Sequence, residues 1–95
     1  MNKPQKPLFL TIKKEFFDMI KAGEKKEEYR SIKQYYYDRF KSSPQTVIFQ
    51  NGYSPNSPRI EVEIKNIYEG KAKPKWAAGY SGECYVIKLG KILCK

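Results

Sequence analysis

The residues of this chain with the clearest chemical potential form one short pattern, Gly23-x-Lys25-x-x-Glu28-x-Arg30. An arginine makes a planar, bidentate contact to phosphate or carbonyl oxygens, and a carboxylate accepts hydrogen bonds from an exocyclic amine or a hydroxyl. A lysine neutralises phosphate, or acts as a base or nucleophile when it is removed from water. These residue types together suit a site for a nucleobase or a ribose phosphate.

A strand over residues 25–30 would present this pattern. Side chains alternate along a strand, so Glu28 and Arg30 point to one side and Tyr29 to the other. Lys25 follows the turn expected at Gly23, where alternation need not hold, and its charge is free to join the other two. The alternative is an ion network that only orders the fold, although exposed pairs contribute only ~0–1 kcal/mol. If the cluster serves a ligand, Glu28→Gln should abolish binding and leave stability about unchanged.

A second candidate is the run Lys71-x-Lys73-x-Lys75-Trp76, which combines positive charge with an indole. Phosphates of a nucleic-acid backbone and a stacked base would both find partners there. A solvated loop with Trp76 folded onto the core explains the same composition. The sequence leaves both interpretations open.

Tyr35, Tyr36 and Tyr37 follow one another on a predicted helix. Adjacent helical residues point about 100° apart, so at least one ring faces the core and at least one faces solvent. Packing over the sheet is the favoured interpretation, and Tyr36 or Tyr37 is the candidate for base stacking if either has that role.

Net charge narrows the class of partner. The 95 residues suffice for one domain, and 19 Lys and Arg against 10 Asp and Glu give a net charge of +9. Such a field attracts polyanions, of which nucleic acid is the commonest inside a cell. The alternative is that lysine serves only solubility.

Several classes of site are excluded or disfavoured by composition. The chain has no histidine, which excludes histidine-based triads and mixed Cys/His zinc clusters. Cys84 and Cys94 are too few for a zinc site, so we expect neither a metal nor a cofactor. Their spacing permits a disulfide, but the N-terminus lacks the apolar segment of a secretion signal, which favours free thiols. No apolar run approaches the ~20 residues of a membrane span, and we expect a cytoplasmic location.

The pattern of apolar residues predicts where the elements lie. Residues 1–7 are expected to form a flexible lead, and 8–95 a single domain. Short strands dominate and helices are confined to the first half, which predicts an α+β fold with an antiparallel sheet or small barrel. Ser31 is a plausible N-cap for the second helix. The predicted ranges are strands at 8–12, 25–30, 46–50, 60–65 and 85–93, helices at 13–22 and 31–40, and a long loop at 70–82.

Taken together, these segments resemble the ASCH family over about residues 8 to 93. The resemblance rests on the strand and helix that precede the Gly23–Arg30 pattern, and on two later segments. They are Val47-Ile48-Phe49 leading into Asn51-Gly52-Tyr53, and the closing Tyr85-Val86-Ile87-x-Leu89-Gly90. It implies a PUA-like small mixed or antiparallel β-barrel with two helices in its N-terminal half. It also implies a cleft near the first helix for RNA or a nucleobase, with Tyr53 at the rim.

The resemblance also implies an enzymatic alternative, because some ASCH proteins hydrolyse N4-acetylcytidine with a Lys-Thr-Glu set. Lys25 matches the lysine of that set, and Glu28 stands where the threonine would be. The first hypothesis is therefore a monomeric domain that binds RNA or a nucleotide-like ligand through Gly23, Lys25, Glu28, Arg30 and Tyr53. The second is a nucleoside amidohydrolase that uses Lys25 and Glu28, and the third is a basic module for an acidic protein partner.

Overall fold

The computed structural model describes residues 6–76 and 82–94, and they form five strands and two α-helices. The predicted α+β class, with both helices in the N-terminal half, is confirmed. The elements in chain order are β1 (Leu8–Ile12), α1 (Lys14–Lys21), β2 (Glu27–Arg30), α2 (Gln34–Phe40), β3 (Thr46–Asn51), β4 (Arg59–Lys71), a 3-10 turn (Pro74–Trp76) and β5 (Glu83–Cys94).

The five strands make one mixed sheet in the order β1-β3-β4-β5-β2, curled into a half-barrel. β1 runs parallel to β3, and the other neighbouring strands are antiparallel. A parallel neighbour requires a long crossover, and here the chain between β1 and β3 contains α1, β2 and α2. β1 and β2 are consequently the two edge strands, and α1 connects them.

The core lies between the concave face of the sheet and α1. Val47 and Phe49 of β3 and Val62 of β4 are buried, as alternation along half-buried strands predicts. Phe17 and Ile20 of α1 fall at helical spacing and close the core from the other side. Their burial fixes α1 over the sheet, and with it the point where the chain enters β2.

The end of α1 determines the position of Lys25. Gly23 has φ +82°, its N–H donates to Ile20 at 3.0 Å, and the N–H of Glu24 donates to Met19 at 2.9 Å. This pair of bonds is the Schellman motif, which requires the left-handed conformation that glycine adopts without strain. The N–H of Lys25 also donates to the carbonyl of Met19, at 3.1 Å. The predicted glycine cap is confirmed, and it anchors the backbone just before β2.

Several predicted boundaries are wrong. α2 begins at Gln34 with Lys33 at its N-cap, so Ser31 is not the cap. β2 begins at Glu27 rather than at residue 25. β4 continues to Lys71, into the predicted loop, because its second half pairs with β5. The predicted lead at residues 1–5 and the part of the loop at 77–81 lie outside the described residues.

Other features restrict the chemistry. Cys84 is free and buried, and burial raises the pKa of its thiol. Within residues 6–76 and 82–94, no three or more Cys, Asp or Glu side chains are grouped as metal ligands would be. In the same residues, no helix has the length and apolar character of a membrane span.

Candidate functional site

A cavity of about 250 Å³ opens where β2 faces β1 and the start of α1. Its polar lining includes Lys13, Glu28 and Arg30. Thr11 and Ile12 contribute the end of β1. The remaining lining residues are aromatic: Phe16, Tyr29, Tyr36 and Trp76.

Glu28 is the centre of an ion network in this cavity. Its Oε1 lies 3.2 Å from Nζ of Lys25. Its Oε2 accepts hydrogen bonds from Nε and Nη2 of Arg30, at 3.0 and 2.7 Å. The structure therefore brings Lys25, Glu28 and Arg30 together, as alternation along the strand predicts. Both carboxylate oxygens already have cationic partners, so Glu28 acts mainly to hold the two cations in place.

Arg30 joins the two edges of the half-barrel. Its Nη2 donates to the carbonyl oxygen of Thr11 at 2.8 Å, and its Nη1 donates to the hydroxyl of Tyr36 at 3.3 Å. Burial opposes the charge of Arg30, but Glu28 and the Tyr36 hydroxyl outweigh burial, and the pKa of Arg30 is raised. Its side chain is 15% exposed, which leaves the guanidinium within reach of a ligand in the cavity.

Lys25 lies beneath the cavity with its side chain 0% exposed. Besides the contact with Glu28, its ammonium donates to the backbone carbonyl of Glu27. It also lies 4.9 Å from the ring centroid of Tyr29 and 5.2 Å from that of Phe16. Burial lowers the pKa of Lys25, and Glu28 offsets only part of that effect. Lys25 is thus a buried cation that its neighbours hold in place.

A second network, on the other face of β2, was not predicted. The hydroxyl of Tyr29 donates to Oε1 of buried Glu27 at 2.7 Å and accepts the backbone N–H of Lys73 at 3.0 Å. Nζ of Lys73 lies 3.7 Å from Oε2 of Glu27. This network ties the segment that carries Trp76 to β2. The sequence gives one signal for it: Glu27 and Tyr29 share a face of the predicted strand.

The run that includes Trp76 differs from the open stacking surface considered above. Trp76 is only 4% exposed and packs with Tyr29, Cys84 and Val86. The ammonium of Lys75 lies 4.4 Å from its ring centroid, and that of Lys73 lies 5.4 Å away. Burial of the large indole favours the folded-over interpretation. Lys71, Lys73 and Lys75 remain exposed, but Trp76 serves as a wall of the cavity.

Tyr53 and Gly23 do not line this cavity. Tyr53 is 87% exposed, because the turn at Gly52, with φ +104°, directs the following residue away from the sheet. Gly23 acts through the backbone, as the cap of α1. Of the three consecutive tyrosines, Tyr36 faces the cavity and the other two are exposed.

The arrangement can hold a planar ring between aromatic side chains and place an anionic group near Arg30 and Lys13. Lys25 and Glu28 are engaged with their neighbours and provide charge from below. No family model, curated protein or solved structure matches this chain.

Proposed function

We propose that this protein binds one nucleotide of an RNA chain in the cavity beside β2, as a PUA-like domain of the ASCH type. The observation that carries the proposal is the Lys25–Glu28–Arg30 network beneath and beside an open cavity with aromatic walls. A purely scaffolding network would not require such an opening. The strand, the helix cap and the ion pairs all direct the charged groups toward it.

The size and walls of the cavity suit a single base. Its volume of about 250 Å³ is below the ~300–1,000 Å³ typical of sites for drug-sized ligands. Phe16 and Tyr36 offer rings against which a base can stack, and each stacked base contributes ~1–3 kcal/mol in single-strand complexes. The sequence of the RNA matters little to such stacking, because every base has an aromatic face.

The charges around the cavity favour an anion. Lys13, Lys25 and Arg30 contribute three positive charges, against one negative charge from Glu28. The Glu28 carboxylate keeps both buried cations charged and leaves an excess of positive charge. A phosphate beside Arg30 and exposed Lys13 would balance that excess. The net charge of +9 strengthens attraction to such a ligand at long range.

The ASCH-type assignment is supported by position as well as by motif. The Gly23–Arg30 pattern lies at a cleft next to the first helix, in a curled sheet of five strands. That is where the resemblance places the ligand. The half-barrel and the cleft are the coarse features of the family; the assignment itself is part of the proposal.

One observation favours the hydrolase alternative: the lowered pKa of Lys25 would aid a nucleophilic amine. However, the Lys25 side chain is fully covered, and its ammonium is engaged by Glu27 and Glu28. Contact with a substrate would require its neighbours to move. Binding needs no such movement, and we therefore favour it over turnover.

Calorimetric titration with ribonucleoside monophosphates tests the proposal. Phe16→Leu should weaken binding about fivefold or more, since it removes a stacking partner. Phe9→Leu is the matched control, because Phe9 is 45% exposed and does not line the cavity. Equal effects of the two changes, or no binding of any nucleotide, would overturn the proposal. Release of acetate from N4-acetylcytidine would favour the hydrolase instead.

A further inference from the structure

Four exposed lysines surround a second depression on this protein. Lys26, Lys65, Lys88 and Lys91 line a shallow cavity of about 540 Å³. We call these four residues the basic patch. None of its lining residues belongs to the cavity beside β2, so the basic patch is a separate surface.

Strand pairing brings these distant residues together. Lys88 of β5 lies opposite Glu27 and Asn66, and the N–H of Leu89 donates to the carbonyl of Lys26 at 2.9 Å. The register between β4 and β5 shifts on either side of Ile64. Such irregularities redirect side chains, and Lys65, which follows the shift, lies beside the lysines of β5 and β2.

The charges of the basic patch are not neutralised by the protein. Within residues 6–76 and 82–94, none of its four lysines lies within 4.0 Å of a carboxylate oxygen. Other exposed lysines do have such partners: Lys14 pairs with Asp18 at 2.7 Å, and Lys41 with Asp38 at 3.7 Å. Four neighbouring positive charges repel one another, and a bound anion would relieve that repulsion.

Glu63 lies in the same depression but is turned toward the backbone. Its Oε1 accepts the N–H of Lys91 at 3.3 Å. The carboxylate lies so close to Gly90 that a Cβ there would collide with it. Glu63 is therefore held against β5 by a backbone contact, and the ammonium groups remain available to a ligand.

We infer that the basic patch binds the phosphodiester backbone of single-stranded RNA, and that the natural ligand is a polynucleotide rather than a free nucleotide. The inference rests on the proposed function only in that the cavity beside β2 takes one nucleotide of the same strand. A concave surface with several unpaired lysines fits successive phosphates.

The composition of the basic patch argues against a membrane surface. Membrane-binding faces combine lysines with exposed aromatic or leucine side chains that enter the lipid. The only large apolar residue that lines this depression is Leu89, which is buried. Lysine charge without an apolar insertion favours a soluble polyanion.

The test compares two variants with equal charge. In the patch variant, Lys26, Lys65, Lys88 and Lys91 are replaced by glutamine. In the control variant, exposed Lys14, Lys21, Lys33 and Lys41 are replaced instead. Each change lowers the net charge from +9 to +5. Both variants and the wild type are titrated with a short single-stranded RNA over a range of salt concentrations, and with ribonucleoside monophosphates.

The patch variant should lose more than tenfold in affinity for RNA relative to the control variant at low salt. Its salt dependence should fall by about 0.7 per phosphate contact, or about 3 in all. Monophosphate binding should be the same in both variants. Equal losses of RNA affinity would overturn the inference, because total charge would then be the cause. Loss of binding to anionic lipid vesicles with RNA binding intact would overturn it too. Patch-dependent RNA binding without monophosphate binding would uphold it and contradict the cavity proposal.

Discussion

The guanidinium of Arg30 donates a hydrogen bond of 2.8 Å to the carbonyl oxygen of Thr11. Arg30 is the last residue of β2 and Thr11 lies in β1, and these two strands are the opposite edges of the sheet. One side chain thus joins the two edges across the open side of the half-barrel. The same side chain binds Glu28 and Tyr36, so the site and the closure of the fold depend on one residue.

Arg30→Lys should therefore destabilise the protein by ~1–3 kcal/mol, because one ammonium cannot serve Glu28, Thr11 and Tyr36 at the same time. Urea unfolding measures the loss. Arg39→Lys is the control, since Arg39 is exposed and stacks on Tyr35 at 4.1 Å from the ring centroid. A loss no greater than that of Arg39→Lys would show that Arg30 does not hold the edges together.

Glu28→Gln is expected to be costly, which revises the expectation from sequence that stability would be unchanged. Glu28 is buried, and each of its oxygens has a cationic partner. Removal of its charge leaves Lys25 and Arg30 uncompensated in a site of low polarity, and breaking a buried pair in this way typically costs ~3–5 kcal/mol. Denaturant unfolding checks this value. Addition of Lys25→Met to the same chain should restore part of the loss, and absence of any restoration would argue against coupling of the two residues.

Lys25→Met should be neutral or stabilising near neutral pH, because it replaces a buried charge by an apolar chain of similar length. In the folded protein burial lowers the pKa of Lys25 from 10.5. Between the lowered pKa and 10.5, the unfolded chain holds the proton and the folded chain does not, so wild-type stability rises with pH in that interval. The advantage of Lys25→Met should accordingly shrink from about pH 7 to about pH 10.

Unfolding of the two proteins in urea at a series of pH values measures this difference. The raised pKa of Tyr29, which burial causes, lowers stability only at higher pH, and it is present in both proteins. An advantage of Lys25→Met that grows with pH would contradict the burial of a charged lysine.

Tyr29→Phe should loosen the segment that carries Trp76. The hydroxyl bonds to Glu27 and to the N–H of Lys73, and its removal leaves a buried carboxylate oxygen with one partner fewer. We expect a loss of ~1–3 kcal/mol and faster amide hydrogen exchange at Lys73. Tyr68→Phe, at a partly exposed position on β4, is the control. Unchanged exchange in Tyr29→Phe would show that this hydroxyl does not anchor the segment.

Local patterns predicted the parts of the fold that depend on local forces. β1 was predicted with its observed boundaries, because its apolar run is short and ends where the helical period begins. The cap at Gly23 and the convergence of Glu28 with Arg30 follow from conformational preference and alternation. The cap at Ser31 failed because α2 starts three residues later, after Lys33.

The remaining features depend on contacts between distant segments. The parallel pairing of β1 with β3, and the assembly of the basic patch from three strand regions, have no local signature. The burial of Lys25 was not predicted either, since lysine is among the residues least often buried without a partner. The aromatic residues and the carboxylate that make its burial tolerable come from α1, β2 and the turn at Trp76.

Intrinsic fluorescence tests the central claim most directly, because Trp76 is the single tryptophan of the chain and lines the cavity beside β2. A short single-stranded RNA is titrated while its own anisotropy is recorded in parallel. Our account predicts a saturable change in Trp76 emission whose midpoint matches that of the anisotropy, and a weaker midpoint in Phe16→Leu. Binding seen by anisotropy with unchanged Trp76 emission, or no binding at all, would contradict the claim that RNA enters this cavity.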